Sequence, residues 1–381
     1  MNQLKHPSLH RSWLEIDLDA VRQNIAAFRR MVGTGRSIMP CLKANAYGHG
    51  AVECARAVLA GGADRIAVAT CLEGQQLREA GIGVPIQVLG ALFPEEVRPA
   101  VRFGLTVSLH ELYIARLVSL EAIAADQTIP VHLKIDTGMG RLGILPENAV
   151  EAAEEVMALP GLRFEGVFMH FAEASDDAYS LWQLKRFNVA CERLEKAGIT
   201  GIIRHAASSS AIVSYFDSWF DMIRPGIATY GCLAPKWLHG EIALKPAMTW
   251  RAAIIQIKDY PQGSNLGYNR TFTTRRPTRI AVLPFGYADG YLRQYSNRAE
   301  VLIHGKRAPV VGMVSMDYSM VDVTEFDDLD VGSIVTIIGS DAGEAITAED
   351  LAEWGETIPY CVTTNIGQRL GRVYLDFTNQ E

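Results

Sequence analysis

Several signatures are missing from this chain of 381 residues. Its six cysteines, Cys41, Cys54, Cys71, Cys191, Cys232 and Cys361, include no C-x-x-C pair. That argues against structural zinc and dithiol chemistry, so no metal set is expected. Free thiols suit a reducing compartment. No apolar stretch is long enough to span a bilayer. Residues 1–12 are basic in part but lack the apolar core of a signal peptide, so a cytoplasmic protein is expected, with no membrane partner. Positive charge is outnumbered, with 36 Lys and Arg against 43 Asp and Glu. The net charge of −7 is not the footprint of a nucleic-acid binder. Low-complexity segments are absent. No G-x-G-x-x-G follows the first strand-like run, which weakens the case for an open doubly wound sheet.

The chain is long enough for two domains. Hydrophobic residues make up 49% and charged residues 21%, the balance of a globular protein with a large core. Between about residues 36 and 231, short apolar runs alternate with stretches of helical spacing. The runs are 37–43, 65–70, 85–90, 106–110, 130–136, 163–170, 201–207 and 222–231. Several are β-branched and nearly continuous in apolarity, as strands buried on both faces are. The helical stretches between them include 51–60, 72–80, 149–158, 181–196 and 210–220. Eight strand–helix units predict an α/β fold, an N-terminal (β/α)8 TIM barrel over 13–243. Residues 13–18 alternate like a strand ahead of the barrel, and Asp19 reads as the cap of a helix over 20–30. Beyond 243 the texture changes to β-rich segments broken by Gly and Pro. A mainly β C-terminal domain is expected over 244–381, with 1–12 packed against it.

In such a barrel the chemistry collects at the C-terminal ends of the strands. The first run ends on Lys43, within Lys43-Ala44-Asn45-Ala46-Tyr47-Gly48-His49-Gly50. Lysine is rarely buried without a partner, and a desolvated lysine deprotonates readily and forms an imine with an aldehyde. The fifth run leads through Lys134-Ile135-Asp136-Thr137-Gly138-Met139-Gly140 to Arg141, and the sixth ends at His170. The seventh carries His205. A lone histidine on an apolar strand is more often a satisfied core group than a catalyst, and His205 is read so. Ser208, Ser209 and Ser210 open a helix, and Arg224-Pro225-Gly226-Ile227 ends the eighth run. Small hydroxyls and backbone N–H groups at a helix start suit an anion.

The string from Lys43 to Gly50 resembles the cofactor-lysine motif of bacterial alanine racemases. The resemblance extends over nearly the whole chain. It runs through Arg141, Arg224 and Gly267-Tyr268-Asn269-Arg270 to Gly286-Tyr287, Ser315-Met316-Asp317 and Ile358-Pro359-Tyr360. It implies a pyridoxal 5'-phosphate enzyme that interconverts L- and D-alanine, the latter a peptidoglycan precursor. Lys43 carries the cofactor and Tyr47 bonds its phosphate, together with Ser209, Gly226, Ile227 and Tyr360. Arg141 contacts the phenolic oxygen and the substrate carboxylate, with His170 bonded to an arginine facing the ring. Lys134 is a candidate for carbamylation. Met316 offers its backbone N–H to the substrate carboxylate. Arg224 faces the ring nitrogen and, as a permanent cation, leaves it unprotonated. Lys43 and Tyr268 serve as the two proton carriers. A phenol titrates near about 10 unperturbed, so it needs a positive neighbour to act as a base, and Arg141 is the candidate. Tyr268, Tyr287 and Met316 reach the site of the other subunit, which implies a homodimer with shared sites.

The chain departs from the family pattern at three positions. Ser208 replaces an asparagine, Ser175 an aspartate and Met313 an arginine. Losing both charges of the substrate channel together leaves neither unpaired. A less polar channel predicts a measurable rate on serine or larger amino acids, while the bulk of Tyr360 opposes long side chains. A broad-specificity or serine racemase of the same family is the first alternative, and two further ones carry the same motifs less well. One is a barrel-fold decarboxylase, which needs a carboxylate where Arg224 stands. The other is a cofactor carrier, which needs neither the β domain nor Tyr268.

Overall fold

A computed structural model of the protein describes residues 11–174, 176–232 and 242–376. Ser175 and residues 1–10, both named above, lie outside them. The described residues form two compact units, one of 21–46 and 51–245, the other of 11–20, 47–50 and 246–376. The first strand, β1 (Ser12–Asp17), belongs to the second of these.

The first unit holds eight strands in chain order: β2 (Ser37–Ile38), β3 (Ile66–Val68), β4 (Ile86–Val88), β5 (Thr106–Leu109), β6 (Ile129–Lys134), β7 (Leu162–Phe168), β8 (Ile203–His205) and β9 (Met222–Ile223). β3 to β8 are parallel neighbours in sequence order, and β2 pairs in parallel with β9. Single parallel bridges, Cys41 to Ala67 and Ser208 to Arg224, link the two sets into a ring. This is the expected (β/α)8 barrel. The β3, β4 and β5 residues are buried throughout, the polar Gln87, Thr106 and Ser108 included, and Gln87 donates to the Ser108 hydroxyl at 3.0 Å. The strands are shorter than the apolar runs predicted. β2 stops at Ile38, but its run keeps strand-like backbone bonds beyond it, Met39 and Cys41 donating to the Ile223 and Pro225 carbonyls at 2.9 Å and Leu42 to the Ala67 carbonyl at 2.8 Å.

One irregularity shapes the interior. Between β6 and β7, Val131 opposes Phe164 and His132 opposes Gly166, so Glu165 is an extra residue on β7. Such a bulge re-aims a side chain. Gly166 is required beside it. A Cβ there would lie 2.5 Å from the Ile203 carbonyl oxygen and 2.7 Å from the His132 ring.

The second unit is mainly β. A seven-stranded sheet has the order β16 (Lys306–Pro309), β15 (Glu300–Ile303), β18 (Ile334–Asp341), β10 (Met248–Ala253), β1, β20 (Gly371–Leu375), with β19 (Glu344–Ile346) paired to β18. A second sheet orders β11 (Gln256–Tyr260), β14 (Thr278–Leu283) and β17 (Ser319–Asp322), and β12 (Asn265–Leu266) pairs with β13 (Phe272–Thr273). β1 lies between β10 and β20, antiparallel to one and parallel to the other. Trp250, Phe285, Tyr291 and Tyr295 form a fully buried aromatic cluster with ring centroids 4.7 to 5.9 Å apart.

Two local details differ from expectation. The helix after β1 runs Leu18–Val32, and Asp17 caps it, its Oδ1 accepting from the Ala20 N–H at 2.8 Å, where Asp19 was expected. The stretch 210–220 breaks into a helix Ser209–Ser214 and a 3-10 turn Phe216–Ser218.

Candidate active site

Lys43 follows the bridge residue Cys41 and begins a turn of opposite hand. Ala44, Asn45, Ala46 and Tyr47 all have φ between 51° and 55°. Such backbone costs roughly 1–2 kcal/mol per L-residue, so it persists only where other contacts fix it. Glu73 supplies some of them. Its carboxylate accepts from the Ala44 N–H at 2.6 Å, the Ala69 N–H at 2.7 Å and the Thr70 N–H at 3.1 Å. The Asn45 side chain accepts from the Ala51 N–H at 2.9 Å and closes the far end. Lys43 itself is exposed.

In the second unit, Tyr47 and Tyr360 place their rings 6.0 Å apart. Gly48 must be glycine: it has φ +86°, and a Cβ would lie 2.1 Å from the Thr363 carbonyl oxygen. The Arg372 Nε donates to the Gly48 carbonyl at 2.8 Å.

Within the barrel unit, β6 ends on Lys134, which is buried. Burial first, then the charges of Arg141 and Arg224, pull its amine down to about 8, against the pull of Asp136. Asp136 Oδ1 accepts from the N–H groups of Gly138 and Gly140 at 3.0 and 3.1 Å, which makes the turn toward Arg141. Arg141 is exposed. His170 is held well below the usual imidazole range by burial, then by Arg224, Lys134, Arg141 and Lys43, so it is neutral at pH 7. His110, at the end of β5, is pulled down to about 4 by burial and then Lys134.

Arg224 is buried, and its guanidinium donates three times: to His205 Nδ1 at 2.8 Å, to the Met169 carbonyl at 2.8 Å and to the Ala206 carbonyl at 3.0 Å. Burial lowers it only to about 10, so it stays cationic at neutral pH. His205 is the buried, satisfied core group that was expected, hydrogen-bonded on both ring nitrogens, and one of its partners is Arg224. Ser209 does not cap its own helix. Its Oγ accepts from the Gly226 N–H at 2.8 Å and the Ala228 N–H at 3.2 Å. Ile227 between them begins a 3-10 turn, where N–H groups have no partner inside the turn.

The remaining named residues belong to the β unit. Tyr268 opens a 3-10 turn between β12 and β13 and is 67% exposed. Tyr287 and Met316 are held together by backbone bonds, Tyr287 N–H to the Ser315 carbonyl at 3.1 Å and Ala288 N–H to the Met316 carbonyl at 3.1 Å. Both side chains are exposed. Met313 is half-buried, its N–H nitrogen 3.3 Å from where a Cβ on Gly267 would lie.

Sequence reasoning missed Glu73, His132, Glu165 and His110. His132 was within reach, since it shares a strand face with Lys134 two residues on. Glu165 was not, because only the bulge turns it toward His132.

Two family profiles cover most of the chain: Alanine racemase, N-terminal domain, over residues 16–234, and Alanine racemase, C-terminal domain, over 247–374. The alanine racemase of Desulforamulus reducens is 43% identical over 367 residues, 95% of this chain and 98% of that protein. The crystal structure of the alanine racemase from Streptomyces lavendulae superposes with a TM-score of 0.91 at 36% identity, over 96% of this chain and 97% of that one. The Bartonella henselae alanine racemase, solved with covalently bound pyridoxal phosphate, gives a TM-score of 0.84 at 27% identity over 96% of this chain and 99% of that one.

Proposed function

The chain belongs to the alanine racemase family and interconverts L- and D-alanine, and we propose that it does so with pyridoxal phosphate bound at Lys43 and with Lys43 and Tyr268 as the two proton carriers. The observation that carries this reading is the donor set of the barrel unit. An amine stands at a strand end, a buried arginine stays charged, and a serine gathers two backbone N–H groups. These match an aldehyde, a pyridine nitrogen and a phosphate. The bound cofactor supplies an electron-withdrawing ring that makes the Cα proton of alanine acidic. Lys43 takes or returns that proton on one face, and Tyr268 does so on the other. Arg224 holds a cation against the ring nitrogen. Ser209, Gly226, Ile227, Tyr47 and Tyr360 would hold the phosphate: Ser209 through its hydroxyl proton, Ile227 through its backbone N–H, and Gly226 through an N–H that would turn from the Ser209 Oγ it now meets at 2.8 Å. Arg141 and the Met316 N–H hold the substrate carboxylate, Arg141 through its planar fork.

We assign a homodimer with shared sites, located in the cytoplasm. The support is the exposed set Tyr268, Tyr287, Met316, Tyr318 and Ile358, all on the β unit. The resemblance assigns Tyr268, Tyr287 and Met316 to the partner subunit's site, a role that their exposure here permits. Incubating L-alanine with the protein and following optical rotation tests the activity. Rotation decays to zero if the reading holds, and persistent rotation or release of carbon dioxide overturns it. A panel of L-amino acids tests the departure at Met313. A measurable rate on serine is expected, and strict alanine preference sinks the wider-channel reading.

Lys134 is assigned as a carbamate. Its neutral amine attacks CO2, forming an N–C bond and releasing one proton, and the product anion sits between the charges of Arg141 and Arg224 that now oppose the ammonium. Because the folded amine titrates near about 8, below the unfolded lysine, the unfolded chain binds more protons between those values. Lys134 therefore costs stability below pH 8, and this cost fades as pH rises through that window. Carbamate formation rises with pH for the same reason. A carbamate carbon resonance in 13C-bicarbonate is expected to appear in the wild type and vanish in Lys134→Ala. Losing a charged partner of Arg141 should cost about 1.5–3 kcal/mol, or roughly ten- to a hundred-fold in kcat/KM. A wild type without the resonance would refute the assignment.

A further inference from the structure

Arg224 is one end of a continuous file of hydrogen bonds inside the barrel unit. Its Nη1 meets His205 Nδ1 at 2.8 Å, His205 Nε2 meets His132 Nδ1 at 2.9 Å, and His132 Nε2 meets Glu165 Oε2 at 3.0 Å. Glu165 then accepts from Arg65, at 2.7 Å on Oε2 and 3.3 Å on Oε1, and from Arg163 at 2.8 Å on Oε1. An arginine only donates and an ionised carboxylate only accepts. With both ends fixed, one proton arrangement satisfies every link. Both imidazoles are neutral and carry their proton on Nε2. A charged imidazole anywhere in the file would set two N–H groups against each other.

The fold commits three features to this file. The bulge makes Glu165 the extra residue on β7. Gly166 leaves room for the His132 ring, which a Cβ would contact at 2.7 Å. Phe168 stacks on His205 with centroids 4.9 Å apart and planes 7° from parallel. Burial lowers both imidazoles, which favours the neutral forms. Burial would raise Glu165, but hydrogen bonds from His132 and Arg65 outweigh it and hold the carboxyl well below the ordinary range.

We propose that Glu165 is a positioning residue for the ring-nitrogen end of the site: it fixes His132 and His205 as Nε2–H tautomers, so that His205 turns a lone pair to Arg224 and holds the guanidinium in register. This rests on the assignment of Arg224 to the ring nitrogen made above. Fixed dipoles of this kind need no reorganisation during turnover. A glutamine at 165 keeps the shape but reverses the logic. Its oxygen is claimed by Arg65 and Arg163, so its amide N–H points at His132 Nε2. Both imidazoles then shift to Nδ1–H, and His205 opposes Arg224.

Long-range 1H–15N spectra of the histidine-labelled holoenzyme test this, with His132→Gln and His205→Gln used to assign signals. The wild type should show both residues as neutral Nε2–H tautomers. Glu165→Gln should move both toward Nδ1–H and lower kcat roughly tenfold at nearly unchanged KM, the low end of the 10–100-fold range typical of residues that support a bound group through a neighbour. Doubly protonated or Nδ1–H imidazoles in the wild type overturn the proposal, and this spectrum decides it even where the variant fails to fold. Unchanged tautomers in Glu165→Gln overturn it too. Switched tautomers with unchanged kcat overturn it through the assignment of Arg224, leaving the hydrogen-bond file itself intact.

Discussion

Tyr268→Phe is expected to lower racemisation by about 10²–10⁴-fold, the usual contribution of one positioned acid–base group. Both directions must fall together. The enantiomers of alanine have equal free energy, so kcat/KM is the same forward and backward in any variant, and rates alone cannot say which carrier was lost. Exchange of the Cα proton can. In D2O, Tyr268→Phe should still wash deuterium into one enantiomer, because Lys43 continues to remove and return the proton on its own face. The other enantiomer should exchange slowly, since only the missing phenol reached its proton. Lys43→Ala removes a carrier and the cofactor's attachment together, so it should abolish exchange in both. Equal exchange of both enantiomers in Tyr268→Phe would refute the two-carrier reading. The exposed setting of Tyr268, at 67%, makes the hydroxyl loss a small perturbation of folding, so the comparison reads chemistry and not stability.

The barrel was legible because most residues of its strands are apolar and buried, set between stretches of helical spacing. Ile66–Val68 is apolar throughout, and Ile86–Val88 is broken only by the buried Gln87. The candidate site residues were read at strand ends, where a barrel gathers its chemistry, which led to Lys43, Lys134, His170 and Arg224 in turn. Long-range pairing was not legible. β1 alternates like any edge strand, and nothing local says that it inserts between β10 and β20, more than 200 residues away in the chain. Residues 47–50 join the same unit through Gly48 against Thr363 and Gly50 against Tyr374, contacts that the local string does not encode. The cap at Asp17 was misplaced by two residues because two aspartates flank Leu18 and only the start of the helix chooses between them. Glu165 was hidden for a different reason. Strand alternation assigns every residue a face, and a bulge breaks that rule at one position.

Arg224→Met is expected to be the most damaging single change to the barrel unit. The arginine feeds three acceptors at once, His205 Nδ1 and the carbonyls of Met169 and Ala206. Methionine fills similar volume and donates nothing, so all three are left buried without that donor. Each orphaned acceptor costs about 1–3 kcal/mol, and breaking a buried charged network by removing one member typically costs about 3–5 kcal/mol. A drop in melting temperature of roughly 10 °C follows. Arg224→Lys separates charge from geometry. It keeps a cation and three donors but loses the planar fork, so its stability should lie between the two. Its chemistry should divide the same way. With a cation still near the ring nitrogen, Arg224→Lys should racemise slowly and cleanly. Without one, Arg224→Met should lose racemisation further and divert part of the alanine to its keto acid, because a ring nitrogen free to take a proton draws electrons more strongly. Calorimetry and an assay for pyruvate check the two halves. A methionine variant that melts like the wild type would mean that water or neighbouring groups satisfy the three acceptors, and a clean product from it would remove the cation from the account of reaction specificity.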